Sequence, residues 1–194
     1  MVEVRRWIAE NMIPENILIL LRKVYGAVEK EYTFDVRTHP EDFEDTQYYD
    51  SLKKIYKALQ NYRKFKNLVN TNTLPRCDSL MRGAGFILEW DERQHFTLPR
   101  KIALELYPEN LKIGFEKKRW IELCGKIHAT DNDRKKPYRD EQRAWYDTLK
   151  DFLPEFEGLK PTIRLYYKDP QWSSLNPNSA IDIERFKELL QYPK

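Results

Sequence analysis

The chain has 194 residues, 41% of them hydrophobic and 34% charged, and its formal net charge is +3. This length is sufficient for one ordinary domain with a sizeable apolar core, and the composition excludes a mini-protein and a wholly disordered chain. The longest apolar run, Ile17 to Leu21, is far too short to cross a bilayer, and the charged N-terminus lacks the features of a signal peptide. We therefore expect a soluble, cytoplasmic protein that does not associate with membranes.

Helical patterns dominate the first third of the sequence. A short helix is predicted for residues 2–12, and a core-forming helix for residues 15–32, where apolar side chains recur at helical spacing. A second long helix, capped by Asp45 or Thr46, is predicted to run to about residue 69. The lysines of this helix favour a solvated face, with a phosphate-binding track as the alternative.

A β-hairpin is predicted where two short apolar runs flank Gly83-Ala84. If these two residues form a type II′ loop with glycine first, the pairing of the strands is fixed residue by residue. Leu80 then lies opposite Ile87, and Asp78 lies opposite Glu89.

The same register places Arg76 opposite Asp91. Because strand side chains alternate between faces, one face carries the polar side chains Arg76, Asp78, Glu89 and Asp91. The other face is expected to pack in the core and carries Cys77, Phe86, Leu88 and Trp90.

Two carboxylates that face each other across a hairpin repel by up to about 1 kcal/mol. Asp78 and Glu89 therefore need a compensating cation, a proton or a nearby arginine, and a divalent ion is the simplest solution. Oxygen ligands of this kind suit Mg²⁺, or Mn²⁺ in its place, and we expect Asp91 to be a third ligand. The alternative is that the register differs and that these carboxylates lie on the surface.

Beyond the hairpin, helices are predicted for residues 98–106 and 111–128, followed by a polar loop at 129–138. A further helix is predicted from Arg139 to Leu153, where Pro154 is expected to end it. Polar residues recur three to four positions apart on one face of this helix: Asp140, Arg143, Asp147 and Lys150.

The run Thr162 to Tyr167 is rich in β-branched and aromatic residues and predicts a strand, with a closing helix at 180–190. Arg164 is unusual inside such a strand. It either lies on a solvated face or pairs with a carboxylate such as Glu89 or Asp140.

The order of these motifs resembles the PD-(D/E)XK restriction-endonuclease-like superfamily, and most closely its very-short-patch-repair-like branch. The residues that carry the resemblance are Asp78, Glu89, Asp91, His95, Asp140, Arg143 and Arg164. The resemblance covers roughly residues 47–168 and implies an α/β fold with a restriction-endonuclease-like core, in which a mixed central sheet is flanked by helices. It divides the chain into an N-terminal helical addition, residues 1–70, and the core, residues 71–194.

The resemblance implies a metal-dependent endonuclease that hydrolyses DNA phosphodiester bonds. Asp78 and Glu89 would bind Mg²⁺ or Mn²⁺, and His95 would act as general base or transition-state stabiliser. Nucleic-acid contacts are expected from Arg100, Lys101, Arg143 and Arg164. Some members of this fold cut both strands as homodimers.

The sequence departs from the superfamily two residues after Glu89, where Asp91 stands in place of the usual lysine. A cation from elsewhere substitutes for it (Arg100, Lys101 or Lys126), or His95 takes over, or cleavage is lost. A non-catalytic nucleic-acid-binding protein and a helical interaction protein therefore remain as rival functions.

Overall fold

The structure is a computed structural model that describes residues 13–130 and 138–190. The predicted helix at 2–12 and most of the predicted loop at 129–138 lie outside the described residues. Four strands form one mixed sheet: β1 Glu29–Tyr32, β2 Cys77–Met81, β3 Phe86–Asp91 and β4 Lys160–Tyr166. They lie side by side in chain order, with β1, β2 and β3 antiparallel and β4 parallel to β3.

Helices flank the sheet, so the expectation of an α/β protein with a mixed central sheet is confirmed. The α-helices are α1 Glu15–Tyr25, α2 Tyr49–Tyr62, α3 Leu98–Glu105, α4 Lys117–Ile127, α5 Arg139–Glu157, α6 Pro170–Ser174 and α7 Ala180–Leu189, with 3₁₀ turns at Pro40–Phe43 and Arg93–His95. A parallel pair of strands needs a crossover connection, and here α3, α4 and α5 supply it. None of the helices in the two described ranges is long and apolar enough to span a membrane.

The predicted helix over residues 15–32 is shorter than expected. It ends at Tyr25 because Gly26 adopts φ +83° and its N–H closes the last turn on the Arg22 carbonyl. The next residues form β1, the edge strand of the sheet, and pair with β2. The N-terminal region is therefore not purely helical, since it contributes a strand to the sheet of the core.

The predicted stop at Pro154 is wrong, because α5 continues through this proline to Glu157. The helix ends instead at Gly158, which adopts the left-handed conformation that favours glycine. Pro154 and the preceding Leu153 are buried, so the packing of the helix outweighs the backbone hydrogen bond that the proline cannot donate.

The sheet separates two apolar clusters, and we name each face of the sheet after a helix that covers it. On the α5 face the sheet packs against α2, α3, α4 and α5, and the largest buried side chains include Trp145 and Phe152. The α1 face packs against α1 and α7 and contains Phe86, Leu88 and Trp90, as predicted for one face of β3. Cys77 was expected on that same face, but it packs on the α5 face.

The predicted hairpin register is confirmed, because Leu80 pairs with Ile87 and Met81 with Phe86. The predicted two-residue II′ loop is wrong. The loop spans residues 82–85, and the Met81 carbonyl accepts hydrogen bonds from the N–H groups of Ala84 and Gly85. Gly85 has φ +75°, whereas Gly83 is not in the positive-φ region. Both loops are centred on the same two residues, which is why the register is unchanged.

Alanine substitutions at the two loop glycines test this geometry. Gly85→Ala forces a Cβ into the left-handed region, so we expect the free energy of unfolding to fall by about 1–2 kcal/mol. Gly83→Ala should change it little, because the new Cβ would meet only the Tyr25 carbonyl oxygen at 3.9 Å. Urea denaturation of both variants measures the difference. A larger loss for Gly83→Ala would contradict the four-residue loop.

Candidate functional site

Charged side chains form a buried network on the α5 face, where β3 and β4 run beneath α5. Four of its members are cationic: Arg100, Lys150, Arg164 and, as argued below, His95. Six members are carboxylates: Asp78, Glu89, Asp91, Glu92, Asp147 and Asp151. With every carboxylate ionised, the network would carry two more negative than positive charges, and buried charge of this kind must be offset by protons or cations.

Glu89 lies on β3 with its side chain almost fully buried. Its Oε2 accepts a hydrogen bond from Nζ of Lys150 at 2.7 Å, and its Oε1 accepts one from the backbone N–H of Asp78 at 3.2 Å. Burial raises the pKa of Glu89 to about 7 and the charge of Asp78 adds to this, although the Lys150 ammonium acts in the opposite direction. Near neutral pH the carboxyl therefore binds a proton for part of the time, and a cation beside it would favour the ionised form.

At the start of β2, side chains take the place of backbone hydrogen bonds between β2 and β3. Beyond the regular pair Ser79–Leu88, the backbone N–H of Trp90 donates to Oδ2 of Asp78 at 2.7 Å. The backbone N–H of Asp78 in turn donates to Oε1 of Glu89. These two side chains thus connect β2 and β3 where the ladder ends. Burial raises the pKa of Asp78, with the Lys150 ammonium and the Trp90 hydrogen bond opposing it.

Asp91 does not share this arrangement, although it was predicted as a metal ligand. Its Oδ1 accepts from Arg164 and its Oδ2 from the indole N–H of Trp120, both at 2.6 Å. These partners are internal and differ from those of Asp78 and Glu89, so the structure does not bring Asp91 to that pair. Arg76, which was expected opposite Asp91, is exposed and pairs with Glu31 on β1 at 2.8 Å.

Two of the predicted nucleic-acid contacts lie inside the protein. Arg164 binds Asp91 and Asp151, and its third nitrogen donates to the carbonyl of Asp147 at 3.0 Å. Arg100 donates to Asp151 at 2.6 Å and to the hydroxyl of Tyr107 at 2.7 Å. Both guanidinium groups are at most 1% exposed, so they neutralise internal carboxylates and cannot reach a phosphate in this conformation.

His95 is held by a carboxylate at each ring nitrogen. Nδ1 lies 2.9 Å from Asp147 and Nε2 lies 3.1 Å from Glu92. Burial alone would lower the pKa of His95, but the charges of Asp147 and Asp91 and the hydrogen bonds to Asp147 and Glu92 raise it to about 10. The ring is therefore an imidazolium at neutral pH, which removes the general-base role and leaves that of a stabilising cation.

A pocket of about 220 Å³ opens beside this network along the first half of α5. It is lined by Pro75, His95, Arg139, Gln142, Arg143, Tyr146, Asp147 and Lys150. Arg143 donates to the carbonyl of Gln94 at 3.1 Å and remains partly exposed. Lys101 lies apart, near the surface of α3, 3.7 Å from Glu105. Of the four predicted nucleic-acid contacts, the pocket therefore contains only Arg143.

Lys150, which is central to the site, was not selected from the sequence. It belongs to the polar stripe of α5, which was interpreted as an ordinary helix face with charge pairs. Asp147 and Lys150 face the sheet instead and are buried. Asp151 extends the stripe to five residues, but only the docking of α5 on the sheet identifies their partners.

Comparison of the chain with protein-family models, with curated proteins and with solved structures gives no match. The stated resemblance therefore depends on the residues named in the sequence analysis alone. Within residues 13–130 and 138–190, no group of three or more His, Cys, Asp and Glu side chains is arranged to hold a metal ion. Mg²⁺ commonly binds only one or two carboxylates, with waters and phosphate oxygens as its other ligands, and the pair Asp78 and Glu89 fits that requirement.

Removal of Arg164 tests whether the buried network holds the fold together. Arg164→Met leaves Asp91 without its guanidinium partner and Asp151 with Arg100 alone, so we expect the free energy of unfolding to fall by about 3–5 kcal/mol. Arg82→Met is the matched control, because Arg82 forms an exposed pair with Glu29 at 2.7 Å, and such pairs contribute little. Equal losses in the two variants would show that the internal pairs have no special weight.

The protonation of His95 makes stability depend on pH. Its pKa is higher in the folded chain than the ordinary value of 6.5, so its contribution is complete below pH 6.5 and is lost as the pH rises toward 10. We expect the free energy of unfolding to decrease between pH 7 and pH 10, by at most about 1.4 kcal/mol per pH unit for one proton. Urea denaturation at several pH values measures this slope.

His95→Gln should flatten that slope, because glutamine does not titrate. His128→Asn is the matched control, since His128 occupies a left-handed position at the end of α4 that asparagine tolerates, and it should retain the slope. An unchanged slope in His95→Gln would assign the effect to another group.

Proposed function

We propose that the protein is a metal-dependent endonuclease that hydrolyses DNA phosphodiester bonds, on a restriction-endonuclease-like core. The proposal is supported by the order of the elements: a helix, three antiparallel strands, a crossover that ends in α5, and the parallel strand β4. It is also supported by the meeting of Asp78 and Glu89 at the end of the hairpin ladder.

The single observation that carries the proposal is the position of Lys150. The superfamily resemblance implies a lysine beside the strand glutamate, and this sequence has Asp91 there instead. From α5, Lys150 brings its ammonium group to 2.7 Å from Glu89 and also lines the pocket with Arg143. Lys150 on α5 would therefore serve as the cation that Asp91 does not provide. It was not among the candidates predicted from the sequence, which were Arg100, Lys101 and Lys126.

Asp78 and Glu89 are the residues that would hold Mg²⁺. A bound ion of this kind supplies a water of lowered pKa and neutralises charge on a phosphate oxygen. The excess of two negative charges in the network equals the charge of one such ion. Ion binding would also displace the proton that burial favours on Glu89, so metal affinity should increase as the pH rises through about 7.

The remaining residues of the site would act through their positive charges and would not bind the ion. Arg139, Arg143 and Lys150 line the pocket as cations and would attract a phosphodiester. The His95 imidazolium, held by Asp147 and Glu92, adds positive charge that would stabilise the anionic transition state. Lys150 would hold Glu89 in position and screen charge on the phosphate.

A cleavage assay tests the proposal. The purified chain is incubated with Mg²⁺ or Mn²⁺ and with single-stranded, double-stranded, nicked and mismatched DNA. We expect cleavage of at least one substrate and a loss of about 100-fold or more in each of two variants. Glu89→Gln removes the negative charge that would hold the ion, and Lys150→Met removes a cation that would screen the phosphate. Glu184→Gln, at an exposed carboxylate on α7, is the control and should cleave like the parent.

Two results would contradict the proposal: absence of cleavage with every substrate, or cleavage that survives Glu89→Gln. Salt-dependent DNA binding without cleavage, unaffected by chelators, would favour the catalytically inactive nuclease-fold alternative instead.

A further inference from the structure

A second pocket lies on the α1 face and shares residues with the proposed site. Its volume is about 340 Å³, within the range of small-molecule sites, and it is lined by Ile13, Leu18, Lys30, Glu31, Asp78, Ser79, Trp90 and Glu92. Asp78 connects it to Glu89, and Glu92 connects it to His95. A ligand in this pocket would therefore contact two members of the charged network from the other side of the sheet edge.

Two residues that line this pocket each carry a buried polar atom with no hydrogen-bond partner among the described residues. They are Ser79, which is fully buried and carries Oγ, and Trp90, which is 3% exposed and carries Nε1. A buried donor without a partner is destabilising. A ligand in this pocket whose hydrogen-bond acceptors reached these two atoms would satisfy both.

The lining contains one cation, Lys30, and three carboxylates, Glu31, Asp78 and Glu92. Arg76 and His95 offset the charges of Glu31 and Glu92 from outside the lining, which leaves no excess of positive charge to attract a phosphate. Oδ2 of Asp78 accepts from the Trp90 backbone, whereas Oδ1 accepts no hydrogen bond from any described residue. The pocket thus combines unused donors with unused acceptor oxygens, and the indole of Trp90, Leu18 and Ile13 supply apolar walls.

We propose that this pocket binds a nucleobase that carries an exocyclic amino group: adenine, cytosine or guanine. The amino group donates to the Asp78 or Glu92 carboxylate, and an acceptor atom of the base receives the Ser79 hydroxyl or the Trp90 indole N–H. Thymine has no amino group and fits this set less well. The inference deepens the proposed function, on which the choice of ligand rests, by giving the nuclease a base-reading pocket next to its phosphate site.

Such a base must leave the stack to enter the pocket, as in other proteins that contact a base inside a closed site. The cost of unstacking is lowest for a mismatched or single-stranded nucleotide. The proposal therefore predicts that substrates with unpaired adenine, cytosine or guanine are preferred over fully paired DNA.

The test uses free nucleosides and the full chain, so that it does not depend on cleavage. Saturation-transfer NMR and calorimetric titration compare deoxyadenosine, deoxycytidine, deoxyguanosine and thymidine, with putrescine as an amine without a base. We expect the three amino-bearing nucleosides to bind and thymidine to bind about tenfold more weakly or not at all. Binding of putrescine alone, equal binding of all four nucleosides, or no binding would overturn the proposal.

Paired variants assign the binding to this pocket. Ser79→Ala and Trp90→Phe each remove one unpartnered donor while keeping most of the side-chain volume, and each should weaken binding about five- to tenfold. Trp172→Phe is the matched control, because Trp172 is buried to a similar degree and its Nε1 also has no partner among the described residues. Trp172 shares a neighbouring pocket with Trp90 but does not line this one. Equal loss in Trp90→Phe and Trp172→Phe would overturn the assignment.

The Glu89→Gln variant separates this proposal from the nuclease proposal. Glu89 does not line the pocket, so nucleoside binding should be retained in that variant. If the parent chain binds nucleosides but does not cleave DNA, the nuclease proposal is rejected and the base-pocket proposal stands. If the parent chain cleaves DNA but does not bind nucleosides, the base-pocket proposal is rejected and the nuclease proposal stands. Circular dichroism and thermal unfolding of every variant check that the fold is intact.

Discussion

The buried guanidinium of Arg164 is the interaction on which the rest of this structure depends. It binds Asp91 on the neighbouring strand at 2.6 Å and Asp151 on α5 at 2.7 Å, and it donates to the backbone of the same helix. One side chain therefore joins β3, β4 and α5. An arginine cannot lose its charge in a protein interior, so the elements around Arg164 must supply carboxylates. Because Asp151 of α5 is one of them, the helix must dock with that side chain directed at Arg164, which fixes its rotation about its own axis.

That rotation explains the geometry of the candidate site. With Asp151 and Asp147 directed at Arg164, Lys150 is carried to Glu89. Arg143 and Tyr146, earlier on the same helix, line the pocket together with Asp147 and Lys150. The pKa of Glu89 is raised to about 7 and that of His95 to about 10 by the same buried network. Groups with strongly shifted pKa values cluster at functional sites, and here they lie where the hairpin ends and α5 crosses the sheet.

The site could be predicted in part, and the limits have physical causes. The hairpin pairing of Leu80 with Ile87 followed from alternation of side chains and a glycine-containing turn, which are local properties. Pairing of Arg164 with a carboxylate was one of two predicted alternatives, but its partners are Asp91 and Asp151 and not Glu89 or Asp140. These partners could not be predicted, because the sequence pattern of a strand does not show whether a charged residue faces water or another element. The Pro154 error has a similar cause: the preference against proline inside a helix is local, while burial of the surrounding residues is not.

By itself, the sequence determined the helices, the hairpin register and the candidate pair Asp78 and Glu89, because periodicity and turn chemistry act between residues that are close in the chain. Only the tertiary structure decided that residues 29–32 form an edge strand, that Lys150 is the cation beside Glu89, and that Arg100 and Arg164 are internal. Each of these results depends on a partner 45 to 73 residues away in the sequence. The packing of helices on the sheet determines which charged residues pair over such separations. A sequence pattern does not show which face of a helix or strand this packing will cover.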